Sequence, residues 1–252
     1  MKQNIQENAI ILKITPGKEN NTSITFFSET RGIAYATFFG GRKSKLKSMI
    51  SPYHYGKIWL HSDKVKNLTK ITDFEVLDYH HQIRENLYKT WVAAFITELL
   101  IKTNCSGEYK KTFILFEGFL KGISLVSESE SKIATLRFLW RYLGLMGIQP
   151  YALACGFCQK ELIPQKGTSV FYVNAEHAFF CEECIHGNPY ESRISAETLD
   201  YLQTVSFGTM QQSREKKITQ SVYEELKSFI FSLITKNVEA NLITLANGIG
   251  IL

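Results

Sequence analysis

Four of the five cysteines fall into two pairs, Cys155-Gly156-Phe157-Cys158 and Cys181-Glu182-Glu183-Cys184, with twenty-two residues between them. A C-x2-C knuckle bends the backbone so that two thiolates point at one centre. A second knuckle after a loop of this length closes a tetrahedral S4 shell around Zn²⁺. Paired redox dithiols are the competing reading, but a redox C-x-x-C stands once, at a helix start in a βαβ unit, and neither pair has that setting. Four cysteines leave no open coordination position, so the expected zinc is structural and does no chemistry. His177 and His186 flank the second pair and are the alternative ligands. Cys105, beside Asn104 and Ser106, reads as an inert thiol rather than a nucleophile.

The second chemical signal is charge. The chain carries a net +5, and residues 1–80 hold twelve Lys/Arg against seven Asp/Glu, whereas the remainder holds seventeen of each. From Thr30 to Ser62 there is no acid, but there are Arg31, Arg42, Lys43, Lys45, Lys47 and Lys57. Such asymmetry points to a polyanion partner; a solvated basic face with no partner is the alternative. The same stretch interleaves Tyr35, Phe38, Phe39, Tyr53, Tyr55 and Trp59. A basic groove tracks phosphates while aromatic faces stack bases. Strand alternation sends about half of these rings inward, and Tyr35 and Phe39 are the candidates for contact.

The elements that position these residues are legible as two periods. Ala9–Ile14, Ser23–Phe27, Ile33–Phe39, Tyr53–Leu60 and Ile71–Leu77 are short β-type runs, punctuated by Pro16-Gly17, Gly32, Gly40-Gly41 and Pro52. Five short strands with basic loops suit an OB-type barrel over residues 1–80, with an SH3-like barrel equally compatible. From His81 the period turns helical. Ile83, Leu87, Trp91, Phe95 and Leu99 make one stripe, Phe113, Phe116, Leu120 and Ile123 a second, and Ile133, Leu136, Trp140, Leu143 and Met146 a third, which Pro150 closes. Helix resumes over 195–205 and from Val222, where Ser221 and Glu224 fit a capping box. The expected class is α+β: a barrel, then a helical domain over 81–252 interrupted at about 151–190 by the cysteine ribbon. His80-His81, at the boundary, reads as surface.

Composition, with 44% hydrophobic and 21% charged residues, is that of an ordinary soluble globular protein. No stretch approaches the ~20 apolar residues of a membrane span, and Met1–Glu7 has no apolar signal core. With thiols of metal-binding type, this places the chain in the cytoplasm. No phosphate loop, dinucleotide fingerprint, H-E-x-x-H or G-x-S-x-G occurs, so no catalytic residue is expected. A nuclease needs a carboxylate cluster, which the acid-free run denies near the basic patch. A zinc-ribbon adaptor without direct nucleic-acid contact is the reading from another class.

Several segments carry a resemblance. Ala9-Ile10-Ile11-Leu12-Lys13, then Ser23-Ile24-Thr25-Phe26-Phe27-Ser28 and Arg31-Gly32, are similar to the first strands of the bacterial recombination-mediator family RecO. Gly40-Gly41-Arg42-Lys43-Ser44-Lys45-Leu46 resembles its glycine-plus-basic loop, and Phe138 to Pro150 its helix running into Gly-x-x-Pro. The two cysteine pairs follow where zinc-bearing members place their ligands, over a likeness that covers residues 1 to about 190. Asn174-Ala175-Glu176-His177 departs from the glycines many members carry there. The resemblance implies a non-enzymatic, nucleoid-associated protein of DNA repair and recombination. It would bind single- and double-stranded DNA and anneal complementary strands. With RecR it would help load RecA onto DNA covered by single-strand-binding protein, whose acidic C-terminal tail its helical domain contacts.

Overall fold

Alternating apolar residues close the N-terminal part into a barrel. In this computed structural model the described residues are 2–17, 21–39, 45–63, 65–105, 107–185, 189–248 and 250–252. Strands β1 (Lys2–Pro16), β2 (Asn21–Ser28), β3 (Gly32–Phe39), β4 (Tyr55–Asp63) and β5 (Leu68–Asp78) pair in the order β1-β2-β3-β5-β4, and β4 returns to β1. The strand count left two barrel types open. The crossover that lays β5 parallel to β3, with Thr37 beside Lys70, gives the Greek-key closure of the OB type. The inward parity places Ala9, Ile11, Ile24, Phe26, Ala36, Phe38, Ile58, Leu60, Ile71 and Phe74 in the interior. Each large side chain buried there contributes about 1.5–3 kcal/mol. A bulge between Ile11 and Lys13 bends β1 so that it pairs along both neighbours. A short helix, α1 (Lys45–Met49), was read from the sequence as loop. Leu46 and, just after the helix, Ile50 pack on the barrel interior.

The chain forms two compact units, Met1–Ala134 with Ala240–Leu252, and Thr135–Glu239. Compactness therefore divides the chain elsewhere than at residue 80. In the first unit, α2 (Leu87–Lys102) starts at Asn86, whose side chain accepts the Lys89 amide. Ile83 lies before it in a 3-10 turn, and Leu87 is exposed. The expected stripe fails at that end because every four-residue step overshoots a full turn by about 40°. Tyr88, Val92, Phe95, Ile96, Leu99 and Leu100 are what α2 buries. On α3 (Tyr109–Leu125) the expected Phe113, Phe116, Leu120 and Ile123 are all buried. Phe113 and Phe116 meet Phe27 of β2 at 5.3 and 6.5 Å, so α3 covers one outer patch of the barrel. The short α8 (Ile243–Asn247) sits on α2: Glu98 accepts the Ile243 and Thr244 amides, and Trp91 Nε1 donates to the Thr244 carbonyl.

Helix α4 (Glu128–Leu145) opens with reciprocal Ser127–Glu130 bonds, a capping box the sequence reading missed. It ends at Gly147 (φ +76), where the Ile148 amide reaches back to the Leu143 carbonyl. That left-handed glycine stops the helix, and Pro150 follows the stop rather than causing it. The second unit continues with β6 (Ser169–Val173), β7 (Ala178–Cys181) and β8 (Ser192–Ser195), in the order β7-β6-β8. Then come α5 (Ala196–Phe207), α6 (Met210–Glu215) and α7 (Gln220–Asn237). The cap of α7 is Thr219, not Ser221, and the capping box in this region is Thr209–Gln212 on α6. Among the described residues no helix is long and apolar enough to cross a membrane.

Candidate metal centre and nucleic-acid interface

Two tight turns build the cysteine cluster. In the first, the Cys155 amide donates to the Lys160 carbonyl at 2.9 Å, and Gln159, left-handed at φ +61, returns its amide to the Cys155 carbonyl. In the second, the Cys184 and Ile185 amides both reach the Cys181 carbonyl, at 3.0 and 3.2 Å. The Gly156 amide ties the first turn to β7 through the Phe179 carbonyl at 2.8 Å. A Cβ on Gly156 would stand 2.5 Å from that of Ala178, so only glycine lets the first turn lie against β7.

The four sulfur atoms lie within 4.8 Å of one another. Cys158 and Cys181 are 3.8 Å apart across the two turns, far beyond a disulfide bond. Metal–sulfur bonds of about 2.3 Å give a tetrahedron with edges of about 3.8 Å. The cluster therefore has the geometry to hold one metal ion. Its electrostatics agree. Burial pushes Cys155 up, but amides of Cys158, Cys181 and Phe157 outweigh it and bring the thiol down to about 7. Cys184 is pushed up, first by its bond to Cys158 and then by burial, and Cys181 is pushed up chiefly by burial. The Cys155 thiolate forms readily; Cys181 and Cys184 need a cation beside them. His177 takes no part, because Nδ1 lies 2.9 Å from the Tyr172 hydroxyl and Nε2 2.7 Å from the Ile148 carbonyl. It occupies the left-handed corner (φ +51) of the 174–177 turn. His186 lies outside the described residues.

On the barrel the predicted cations scatter. Arg31 is ion-paired with the buried carboxylate of Glu7, which also accepts from the Ser28 and Thr30 hydroxyls. Burial raises the Glu7 pKa, but these bonds and the Arg31 charge bring it below the usual value. Lys57 faces Glu75 across β4 and β5, and Trp59 faces Asp73. The acid-free run in sequence is thus not an acid-free surface there. Lys47 is exposed on α1. Arg42 and Lys43 lie outside the described residues, as does the Lys45 side chain.

The aromatics sort by strand parity. Phe38 and Tyr53 are buried, Tyr55 packs beside Phe113, and Trp59 is half-buried. Tyr35 and Phe39 stand 62% and 46% exposed. Register lays Lys13, Thr25 and Tyr35 in one row and Thr15, Ser23, Thr37 and Lys70 in the next. Neither β2 nor β3 contains an acid. Lys70 Nζ lies 4.6 Å from the centre of the Phe39 ring. Lys13 and Lys70 were not singled out from sequence, because strand pairing, not proximity along the chain, brings them to Tyr35 and Phe39. Two other expectations resolve here. Cys105 is buried, which pushes its thiol up to about 12 and leaves it inert. His80, expected on the surface, is buried, with Nδ1 2.8 Å from the Tyr53 carbonyl.

Comparison with known proteins matches both parts of the chain. A family model described as recombination protein O N terminal matches residues 1–80, and one described as recombination protein O C terminal matches residues 84–246. The DNA repair protein RecO of Desulforamulus reducens is 24% identical over 238 residues, covering 94% of this chain and 90% of that one. Its namesake in Bacillus subtilis is 25% identical over 224 residues, covering 88% and 84%. That of Moorella thermoacetica is 26% identical over 182 residues, covering 71% and 66%. With an OB-type barrel at its start, helices after it and the paired knuckles between them, this chain belongs to the recombination protein O family of DNA repair and recombination proteins.

Proposed function

We propose that this protein is a non-enzymatic recombination mediator that captures single strands on its barrel and anneals complementary DNA without nucleotide hydrolysis. One observation carries the reading: the acid-free outer face of β2 and β3 presents Tyr35 and Phe39 beside Lys13 and Lys70. Aromatic faces stack bases of any sequence, and cations screen phosphates. Annealing needs only that screening and capture, since base pairing supplies the free energy. Double-stranded DNA meets the same cations through its phosphates. Lys47, exposed on α1, is assigned to this surface on sequence, as are Arg42, Lys43 and Lys45. We assign nucleic-acid capture to residues 1–80 and partner contacts to residues 81–252.

The cysteine cluster is assigned a structural Zn²⁺, held by Cys155, Cys158, Cys181 and Cys184. Association with RecR, and through it the loading of RecA on DNA covered by single-strand-binding protein, rests on the family likeness, as does a cytoplasmic, nucleoid-associated location. For the acidic tail of single-strand-binding protein, the second unit offers Arg137, Arg141 and Arg214. Burial, with the charges of Arg137 and Arg214, lowers the pKa of Arg141, a setting that an anionic ligand relieves. A ribbon-centred adaptor is the second reading, favoured by Phe157, which is 75% exposed between two ligands.

Quenched-fluorescence annealing of complementary oligonucleotides, with and without ATP, tests the proposal. Acceleration independent of ATP supports it. A rate equal to the protein-free one, or acceleration only with ATP, sinks it. Absence of salt-sensitive DNA binding turns the assignment to the adaptor.

A further inference from the structure

The segment between α1 and β4 is held by an unusual number of side chains. Tyr53 donates its amide to the Ile11 carbonyl at 2.7 Å, and Ile11 returns its own to the His54 carbonyl at 3.0 Å. Arg84 Nη2 donates to Ser51 Oγ and to the Pro52 carbonyl, both at 2.8 Å. His54 Nδ1 lies 2.7 Å from the Met49 carbonyl, and His80 Nδ1 2.8 Å from the Tyr53 carbonyl. A carbonyl oxygen only accepts, so both rings carry their proton on Nδ1 and leave Nε2 a bare lone pair. Both Nε2 atoms are buried without a hydrogen-bond partner. The nearest carboxylate, Asp78, accepts the His80 amide, and its other oxygen is 3.5 Å from His80 Nε2, too far for a good bond. Tyr53 (φ +68) and His80 (φ +46) are both left-handed, a conformation that persists in such residues only when the surroundings impose it.

We propose that His54, His80 and Arg84 form a clamp that positions α1 and Lys47 for nucleic acid, and that a proton on His54 opens it. The positioning role rests on the barrel being the nucleic-acid interface. The groups facing His54 offer a second positive charge no counter-charge: the Arg84 guanidinium bears on it, His80 and His81 bring no negative charge, and Tyr79 presents its ring edge-on at 5.0 Å. Burial pushes the Tyr53 phenol up to about 12, so it stays neutral. Burial, with the Arg84 charge beside it, holds His54 below its usual pKa, against the opposing pull of the Met49 carbonyl. In the open state His54 titrates near its ordinary ~6.5. The open state then binds more protons, so the closed state loses ground as pH falls through ~6.5, by up to about tenfold per pH unit until the lower folded value is passed. DNA affinity of a basic surface ordinarily rises on acidification as exposed histidines charge; the clamp predicts the opposite.

The test uses the full chain. Amide-exchange protection factors at Ile50, Tyr53 and His54 are measured from pH 7.5 to 5.5, beside the NMR titration of the His54 ring and the affinity for a single-stranded oligonucleotide. Protection is expected to fall about tenfold, beginning near ~6.5 and levelling off where the His54 ring itself titrates, and affinity to fall with it. His54→Asn keeps an N–H for the Met49 carbonyl and has no titration, so both profiles should flatten. Protection independent of pH, a fall that continues below the His54 titration, or an equal fall in His54→Asn overturns the clamp. Affinity that ignores the opening overturns the positioning role. Whether the barrel binds DNA at all is read separately, from the salt dependence of wild-type binding at pH 7.5.

Discussion

Single residues decide both sites. Cys181→Ser removes a ligand from the only group of at least three potential metal-ligating side chains found among the described residues, and should abolish zinc in metal analysis of the purified protein; wild-type protein prepared without chelator and containing no zinc would refute the assignment. Gly156→Ala puts a methyl group 2.5 Å from Ala178 Cβ, so it should weaken metal retention against a competing chelator while every ligand stays in place. On the barrel, Glu7→Gln removes the charged acceptor of Arg31, Ser28 and Thr30, a loss of about 1–3 kcal/mol. The Glu7 carboxyl titrates below its usual 4.5, so its contribution is complete above that value and is lost as pH falls through the folded pKa. Urea titrations from pH 6 to 3 should therefore show a shallower acid loss in Glu7→Gln than in wild type. The cysteines were legible because a knuckle is a local pattern. Arg31 was not, since it lies in the turn after β2 and its partner Glu7 stands on the neighbouring β1, twenty-four positions away in the chain, and a basic residue in an acid-free run looks free until the strands pair.

At the scale of elements, the sequence spoke clearly where one period held over several turns. The Phe113–Ile123 face of α3 and all five barrel strands follow from spacing alone. The stripe on α2 did not, because a strict four-residue recurrence walks around the helix. Caps were misplaced for a related reason: Ser221 and Glu224 match the pattern, but Thr219 lies where the chain enters the helix, and entry geometry is set by the preceding turn. The ribbon reads in sequence only as an interruption of the helical domain. In the structure Tyr172 and Phe179 meet Phe229 of α7 at 5.3 and 5.6 Å, and Gln203 of α5 donates to the Ala152 and Leu162 carbonyls. Loss of the metal should therefore spread. Chelation is predicted to lower amide protection in α7 as well as in the ribbon, while β1–β5 keep theirs. Phe229→Ala should cost about 3–5 kcal/mol and loosen the ribbon with zinc still bound.

For the whole molecule, the proposed function puts DNA capture on one face of the barrel, where base stacking adds to phosphate screening. The two contributions separate experimentally. Phosphate contacts set the salt slope, about −0.7 per contact on single strands, so five contacts give about −3.5 in log K against log[salt]. Stacking supplies about 1–3 kcal/mol per base without changing that slope. The most direct measurement is single-strand binding across a salt series for wild type and for the Tyr35→Ala/Phe39→Ala double variant, with the fold of the variant confirmed by circular dichroism. The account predicts affinity lower by tenfold or more at every salt concentration, on a parallel line of slope about −3.5. Superimposable lines for the two proteins would contradict it and remove this face of the barrel from the interface.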